Sequence, residues 1–175
     1  MRIRTVVTLL VVAFVSGCAS MNDAMTPSLS VTKDDFDGAT IIRQSPVSSS
    51  SGLSEGWHTL GFEWSKKTPD TVFVTVGTNG IVNITDVAFN ADGQIISSIK
   101  PASTITEYGQ WSTRRFHMPL DDFMKVANAK IVKMKVTRIN DYSVSSFGTA
   151  VTGAVVNTKF QPFLSKLNEL RPSGK

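Results

Sequence analysis

The chain has 175 residues, with 18 lysines and arginines against 14 aspartates and glutamates, a formal net charge of +4. That length suits one domain, and the basic surplus is too small to signal nucleic-acid binding. A single cysteine, Cys18, excludes an internal disulfide framework, a Cys-x-x-Cys redox motif and a thiolate zinc site.

Arg2 and Arg4 precede an apolar stretch from Val6 to Val15. It is about half as long as a membrane-spanning helix, which needs roughly twenty residues. A basic start, a short apolar run and the small residues Ser16 and Gly17 make a secretory signal. Its end, Val15-Ser16-Gly17-Cys18, resembles the lipobox of bacterial lipoproteins. The resemblance is confined to this segment. It implies that residues 1–17 are removed and that Cys18 becomes the first mature residue, with diacylglycerol on its sulfur. Ala19 stands where the inner-membrane retention signal of enteric lipoproteins has aspartate. That implies an outer-membrane address facing the periplasm. Each buried methylene contributes about 0.8 kcal/mol, so an anchor of two or three acyl chains is effectively permanent. Two other readings of the segment stay open: a short transmembrane anchor, and a cleaved signal in which Cys18 is incidental. Without Arg2 and Arg4 the excess of basic over acidic residues falls to two.

Residues 18–33 are small, polar and unpatterned, as expected of a lipidated end and flexible tether. Residues 34–171 have the length of a single globular domain, and 172–175 form a tail. A strand is expected around Ala39–Arg43, followed by a serine-rich loop from Ser45 to Gly52. In Trp57–Trp64 the residues His58, Leu60, Phe62 and Trp64 share one face. Val72, Val74 and Val76 alternate in the next strand. Gly77-Thr78-Asn79-Gly80 then predicts a hairpin into Ile81–Phe89, and Asn90-Ala91-Asp92-Gly93 a second turn into Gln94–Ile99. These short connections leave no room for crossover helices, which favours an antiparallel meander over a doubly wound fold.

After Pro119 the period changes. Leu120, Phe123, Met124 and Ala127 make a helical stripe, with Pro119 in the first turn and Asp121 and Asp122 at the positive end of the helix dipole. A strand over Lys130–Ile139 turns Val132, Met134 and Val136 to one face, and Tyr142–Phe147 follows as another. A second helix carries Phe160, Phe163, Leu164, Leu167 and Leu170, opened by a Thr158-x-x-Gln161 capping box and closed by Pro172 and Gly174. The expected class is α+β: mainly antiparallel sheet, as a meander or sandwich, with two short amphipathic helices packed on it.

No catalytic grouping emerges. His58 and His117 are the only histidines, no Gly-x-Ser-x-Gly elbow is present, and a histidine pair alone is a poor metal ligand set. Asp86, Asp92 and Asp141 lack calcium-loop spacing, and no phosphate or dinucleotide loop leads into a helix. No catalytic residue, metal or cofactor is therefore expected. What remains is a row on one strand face, Trp111, Thr113, Arg115 and His117, opposite Ser112, Arg114, Phe116 and Met118. Tryptophan and arginine are enriched at binding hot spots, so Trp111, Arg115 and His117 are the candidate partner-binding surface. Lys130, Lys133 and Lys135 either meet anionic polymers or guard an edge strand.

The reading that fits is a lipid-anchored, non-catalytic envelope module that meets the membrane through Cys18 and binds another envelope protein or polymer. A second is a periplasmic carrier of a small apolar or lipid ligand, in a cavity lined by Phe62, Phe89, Phe116 and Phe160. A third is an envelope-polymer hydrolase with Glu63 or Glu107 beside an opposed acid or histidine.

Overall fold

The structure is a computed structural model that describes residues 28–49, 57–149, 153–154 and 159–171. Period-two segments form most of it. The larger sheet contains β1 (Leu29–Lys33), β2 (Thr40–Ser48), β3 (His58–Ser65), β4 (Thr71–Asn79), and the later β7 (Lys100–Pro101) and β8 (Trp111–Pro119). Its order is β1-β2-β3-β4-β8-β7. The smaller sheet contains β5 (Ile84–Ala91), β6 (Gln94–Ile96), β9 (Val132–Arg138) and β10 (Tyr142–Ser146), ordered β10-β9-β5-β6. A two-stranded ladder joins β11 (Gly148–Thr149) to β12 (Gly153–Ala154). Among the described residues there are two helices, α1 (Leu120–Asn128) and α2 (Gln161–Leu170). The class is α+β, mostly antiparallel sheet with two short helices, and neither main sheet closes into a barrel.

One apolar cluster joins all the layers. Leu60, Phe62, Trp64, Val72, Val74, Val76, Phe116 and Met118 enter it from the larger sheet, and Val87, Phe89, Met134 and Val136 from the smaller. The helices add Phe123, Val126, Phe163 and Leu167. Phe62 lies at the centre, its ring 4.9 Å from Phe123, 4.5 Å from Phe160 and 5.8 Å from Phe163. The Trp64 indole N–H donates to the Pro69 carbonyl at 3.0 Å. The His58 Nε2 meets the Ser143 hydroxyl at 2.9 Å, tying β3 to β10 across the two sheets. Among the described residues no helix is long and apolar enough to cross a membrane.

Several elements depart from the sequence expectation, each for an identifiable reason. Leu29–Lys33, assigned to the tether, pair with β2 as an edge strand, so the folded part begins before residue 34. Strand β2 also runs on through Ser45, Pro46, Val47 and Ser48, which were expected in a loop. A register shift between Gln44 and Val47 absorbs Pro46, which lacks an N–H to offer the ladder. The remainder of that loop, 50–56, lies outside the described residues.

The hairpin expected at residues 77–80 does not form. Gly77, Thr78 and Asn79 continue β4 and pair with Thr113, Ser112 and Trp111 of β8. Only Gly80 has a positive φ, 86°, where a type I′ turn needs two such residues in succession. The Ser112 hydroxyl donates to the Gly80 carbonyl at 2.7 Å and accepts from the Val82 N–H at 3.0 Å, steering the chain into the second sheet. The meander is broken at this point. Asp92 and Gly93 do make a tight hairpin, with φ of 49° and 93°.

Pro119 precedes α1 as its N-cap rather than lying in its first turn. Val126 is fully buried where Met124 was expected, and Met124 is only partly buried. At α2 the cap is Phe160, without a side-chain bond, so Gln161 opens the helix instead of standing three residues in. Thr158, Pro172 and Gly174, named for that helix's ends, lie outside the described residues. Strand β9 is flanked on both sides by β10 and β5, so Lys133 and Lys135 guard no edge.

Candidate functional site

Alternation on the larger sheet decides which side chains lie outside. The even-numbered residues of β3, β4 and β8 face the core, and the odd-numbered ones face away from it. The pairing register then aligns Arg43 with Glu63, Glu63 with Phe73, Phe73 with His117, and His117 with Lys100. Five strands thus contribute to a single crosswise row on the outer face. Arg115 joins it from two positions along β8, opposite Thr75.

Glu63 is the hinge of this row. Its carboxylate takes Arg43 on Oε2, at 2.6 Å from Nε, and Arg115 on Oε1 at 2.7 Å. Its side chain is 14 % exposed, whereas those of Arg43 and Arg115 are 61 % and 41 % exposed. Solvent screening keeps each such pair modest in energy, about 0–1 kcal/mol. Their effect is geometric: Glu63 holds both guanidinium groups in place. Arg115 also lies over the Phe73 ring, 4.7 Å from its centroid, and the His117 ring meets the same phenyl at 4.8 Å. The flat apolar ring is bracketed by two cation-capable groups.

Beside this cluster is an open groove of about 410 Å3 lined by Asp70, Thr71, Ser98, Lys100, His117 and Pro119. Ser98 donates to Asp122, which also accepts from Lys125 at 2.7 Å. These contacts hold the Asp122 carboxyl below the usual carboxylate range, the Lys125 ammonium being the largest cause. Lys100 and His117 remain the exposed donors along the groove.

Of the three residues expected to form the binding surface, the structure brings two together. Arg115 and His117 meet around Phe73. Trp111 is on the same face but begins the strand, about 13 Å from Arg115 at strand spacing. Arg43, Glu63, Phe73 and Lys100 were not singled out as a group. The sequence does carry one hint, the large ring of Phe73 at an outward position between inward valines.

The other chemistry weighed from sequence is dispersed. His58 is buried on the inner face and His117 is exposed on the outer, so they do not meet across strands. Among the described residues no three His, Cys, Asp or Glu side chains are grouped to hold a metal. Asp92 accepts from the Lys130 and Ile131 N–H groups at 3.1 and 2.8 Å, and Asp141 pairs with Arg138 at 2.6 Å. Asp86 is exposed beside an irregularity in β5. Glu63 faces arginines rather than a second acid, and Glu107 lies by Thr113, four positions along β8 from His117. Phe62, Phe89, Phe116 and Phe160 are all buried, and the direct contact of Phe62 with Phe160 fills space that an enclosed ligand would need.

Lys133 and Lys135 are exposed on one face of β9, with Lys130 at the turn before it. Asp92 binds the Lys130 backbone N–H, and the Lys135 ammonium lies 4.5 Å from the Tyr142 ring centroid, so among the described residues these lysines meet no acidic or histidine group that would make a site with them. The strongest candidate site is therefore the outer-face row. No protein family, curated protein or solved structure matches the chain.

Proposed function

We propose that this protein is a lipid-anchored module of the bacterial cell envelope, facing the periplasm from the outer membrane, that binds another envelope component without catalysing a reaction. The amino-terminal Val15-Ser16-Gly17-Cys18 supports the anchor. The outer-face row supports the binding role, and it is the observation that carries this reading. Arg43, Arg115 and Lys100 outnumber the single carboxylate of Glu63 there, and Phe73 gives the row an apolar centre. Such a surface suits a protein segment or polymer that presents carboxylates beside apolar groups. The dispersed acids and histidines favour binding over hydrolysis, and the ring-to-ring core favours it over carriage of a ligand.

A photoactivatable residue placed at Thr75, amid the row, tests this in intact cells. The expected result is a discrete cross-linked species that falls at least tenfold when Lys100→Glu and His117→Glu are added. A species of undiminished intensity in that variant, or none at Thr75 in the wild type, would remove the binding assignment.

A further inference from the structure

The two ends of the larger sheet differ in character. At one end lie the 34–39 and 66–70 turns, with Asp34, Asp37, Lys66, Lys67 and Asp70; Lys67 and Asp37 pair at 2.8 Å. At the other end large apolar side chains project among polar ones. Ile81 is 81 % exposed, Ile139 69 %, Ile105 68 %, Tyr108 58 % and Trp57 52 %. Hydrogen bonds gather them at one place. The Asn79 N–H meets the Trp57 carbonyl at 3.4 Å, and Glu107 bonds Thr113 through both backbone groups at 2.8 Å. Thr106 bonds Asn83 and the Ile84 N–H at 2.9 and 3.1 Å. Val82, Asn83 and Ile139 line one shared depression. Of the charged groups at this end, Arg138 pairs with Asp141 and Arg114 directs its guanidinium to the Ile84 and Ser103 carbonyls, while Glu107 is exposed between Ile105 and Tyr108.

From these observations we infer that the Trp57–Ile81–Ile105–Tyr108–Ile139 end is a membrane-contact face, seated in the headgroup region of the bilayer that holds the anchor. This rests on the proposed lipidation of Cys18. The direction of the chain identifies the occupant. Leu29 pairs with Gln44 and Lys33 with Thr40, so the start of β1 points toward Ser48, which pairs with Thr59 next to His58. The polypeptide therefore joins the sheet midway, level with Phe62 and Val74, arriving from the direction of the apolar end. Residues 19–28 separate Cys18 from β1. Ten residues of loose chain have a root-mean-square reach of about 17 Å. From Val74 the Asn79 end of β4 is five residues on, about 17 Å, straight along the path of the incoming chain, whereas the charged end lies behind it and would require the tether to turn back along the sheet. Tryptophan and tyrosine favour the bilayer interface, and a few projecting isoleucines suffice to hold a domain that is already tethered.

The test uses the full lipidated protein in vesicles of phosphatidylethanolamine and phosphatidylglycerol, with and without brominated acyl chains that quench tryptophan at short range. Trp64 is buried, with its indole bonded to Pro69 toward the charged end, so it contributes little. Trp111 begins β8 at this same end, so it is replaced by Phe throughout; brominated lipid is then expected to quench emission, and Trp57→Phe to remove at least half of that quenching. Ile81→Asp plus Ile139→Asp, at exposed positions, should lower it at least twofold with the unfolding transition unchanged. If that pair does not fold, Trp57→Phe alone decides. Acyl labelling is measured on the same samples. Labelled protein that shows no quenching, or quenching indifferent to these substitutions, overturns the contact face and leaves the anchor standing. Absence of label overturns both.

Discussion

The contact of α2 with the sheet is the fold's most exacting test, because a helix of this length has no stability of its own in water. Phe163 is fully buried, 5.8 Å from both Phe62 and Phe123, and meets Phe123 edge-on at 79°. Phe163→Ala removes the ring and leaves a cavity that rigid neighbours on β3 and α1 cannot refill. The expected loss is about 3–5 kcal/mol. For a domain near 150 residues, 1 kcal/mol moves the melting temperature by about 2–4 °C, so Tm should fall on the order of 10–15 °C. Urea unfolding followed by far-ultraviolet circular dichroism checks this, with the midpoint falling and the slope unchanged. The cycle formed with Phe123→Ala isolates the ring pair, for which about 0.5–1.5 kcal/mol of coupling is expected. A Phe163→Ala cost below 1 kcal/mol would mean that α2 is not docked. Zero coupling with a large single-site cost would place both rings in the core but apart.

Gly61 lies on the outer face where the bulge of β2 folds close, and an added Cβ would stand 2.9 Å from Pro46 Cγ and 3.0 Å from both the Gln44 carbonyl and the Pro46 nitrogen. Two of those atoms are backbone, so Gly61→Ala is expected to cost about 1–3 kcal/mol, read as a lower urea midpoint. The Lys130 and Ile131 N–H groups, in that order, hold the Asp92 carboxyl below its usual range. Its folded pKa being the lower one, its contribution is complete above the unfolded value of about 3.9 and is lost as pH falls through the native value. Asp92→Asn should flatten the acid limb of a stability–pH curve, and an unchanged limb would dismiss this carboxylate's role. Cys18→Ala should abolish acyl labelling and leave an uncleaved or mislocalised precursor; normal labelling would refute the lipid anchor.

Local periodicity made most of the elements readable. The alternation of His58, Leu60, Phe62 and Trp64 survives burial unchanged, as does that of Val132, Met134 and Val136. Strand partnership was not legible, since it depends on residues far apart in the chain. Gly77-Thr78-Asn79-Gly80 has a hairpin's composition, yet β8 takes up its backbone groups and Ser112 turns the chain away. Pro46 reads locally as a break, yet a bulge accommodates it near the end of β2. The candidate site follows the same division. Arg115 and His117 are visible as neighbours on one strand face. Arg43, Glu63, Phe73 and Lys100 join them only once the register of four other strands is known. Trp111 illustrates the converse: sharing a strand face does not bring residues into contact when they are four positions apart.

The early start of β1 ties the two proposals together. A tether reaching Lys33 would let the domain tumble at a distance from the lipid, with either end toward the bilayer. With the fold beginning at Leu29, the linker is short, and the direction of β1 aims it at the Trp57 end. The outer-face row then runs across strands that stand upright on the membrane, so Arg43, Glu63, Phe73, His117 and Lys100 lie in a band roughly parallel to the bilayer. A partner reaching that band approaches sideways, along the membrane surface or through the periplasmic polymer, without displacing the lipid contact. Both surfaces are then usable at once. Loss of the lipid contact through Ile81→Asp plus Ile139→Asp should accordingly reduce cross-linking at Thr75 only by misorienting the band, whereas Lys100→Glu plus His117→Glu should abolish it with vesicle quenching intact. If the two losses proved inseparable, the band and the apolar end would have to be parts of a single surface, and the orientation argued from the direction of β1 would be wrong.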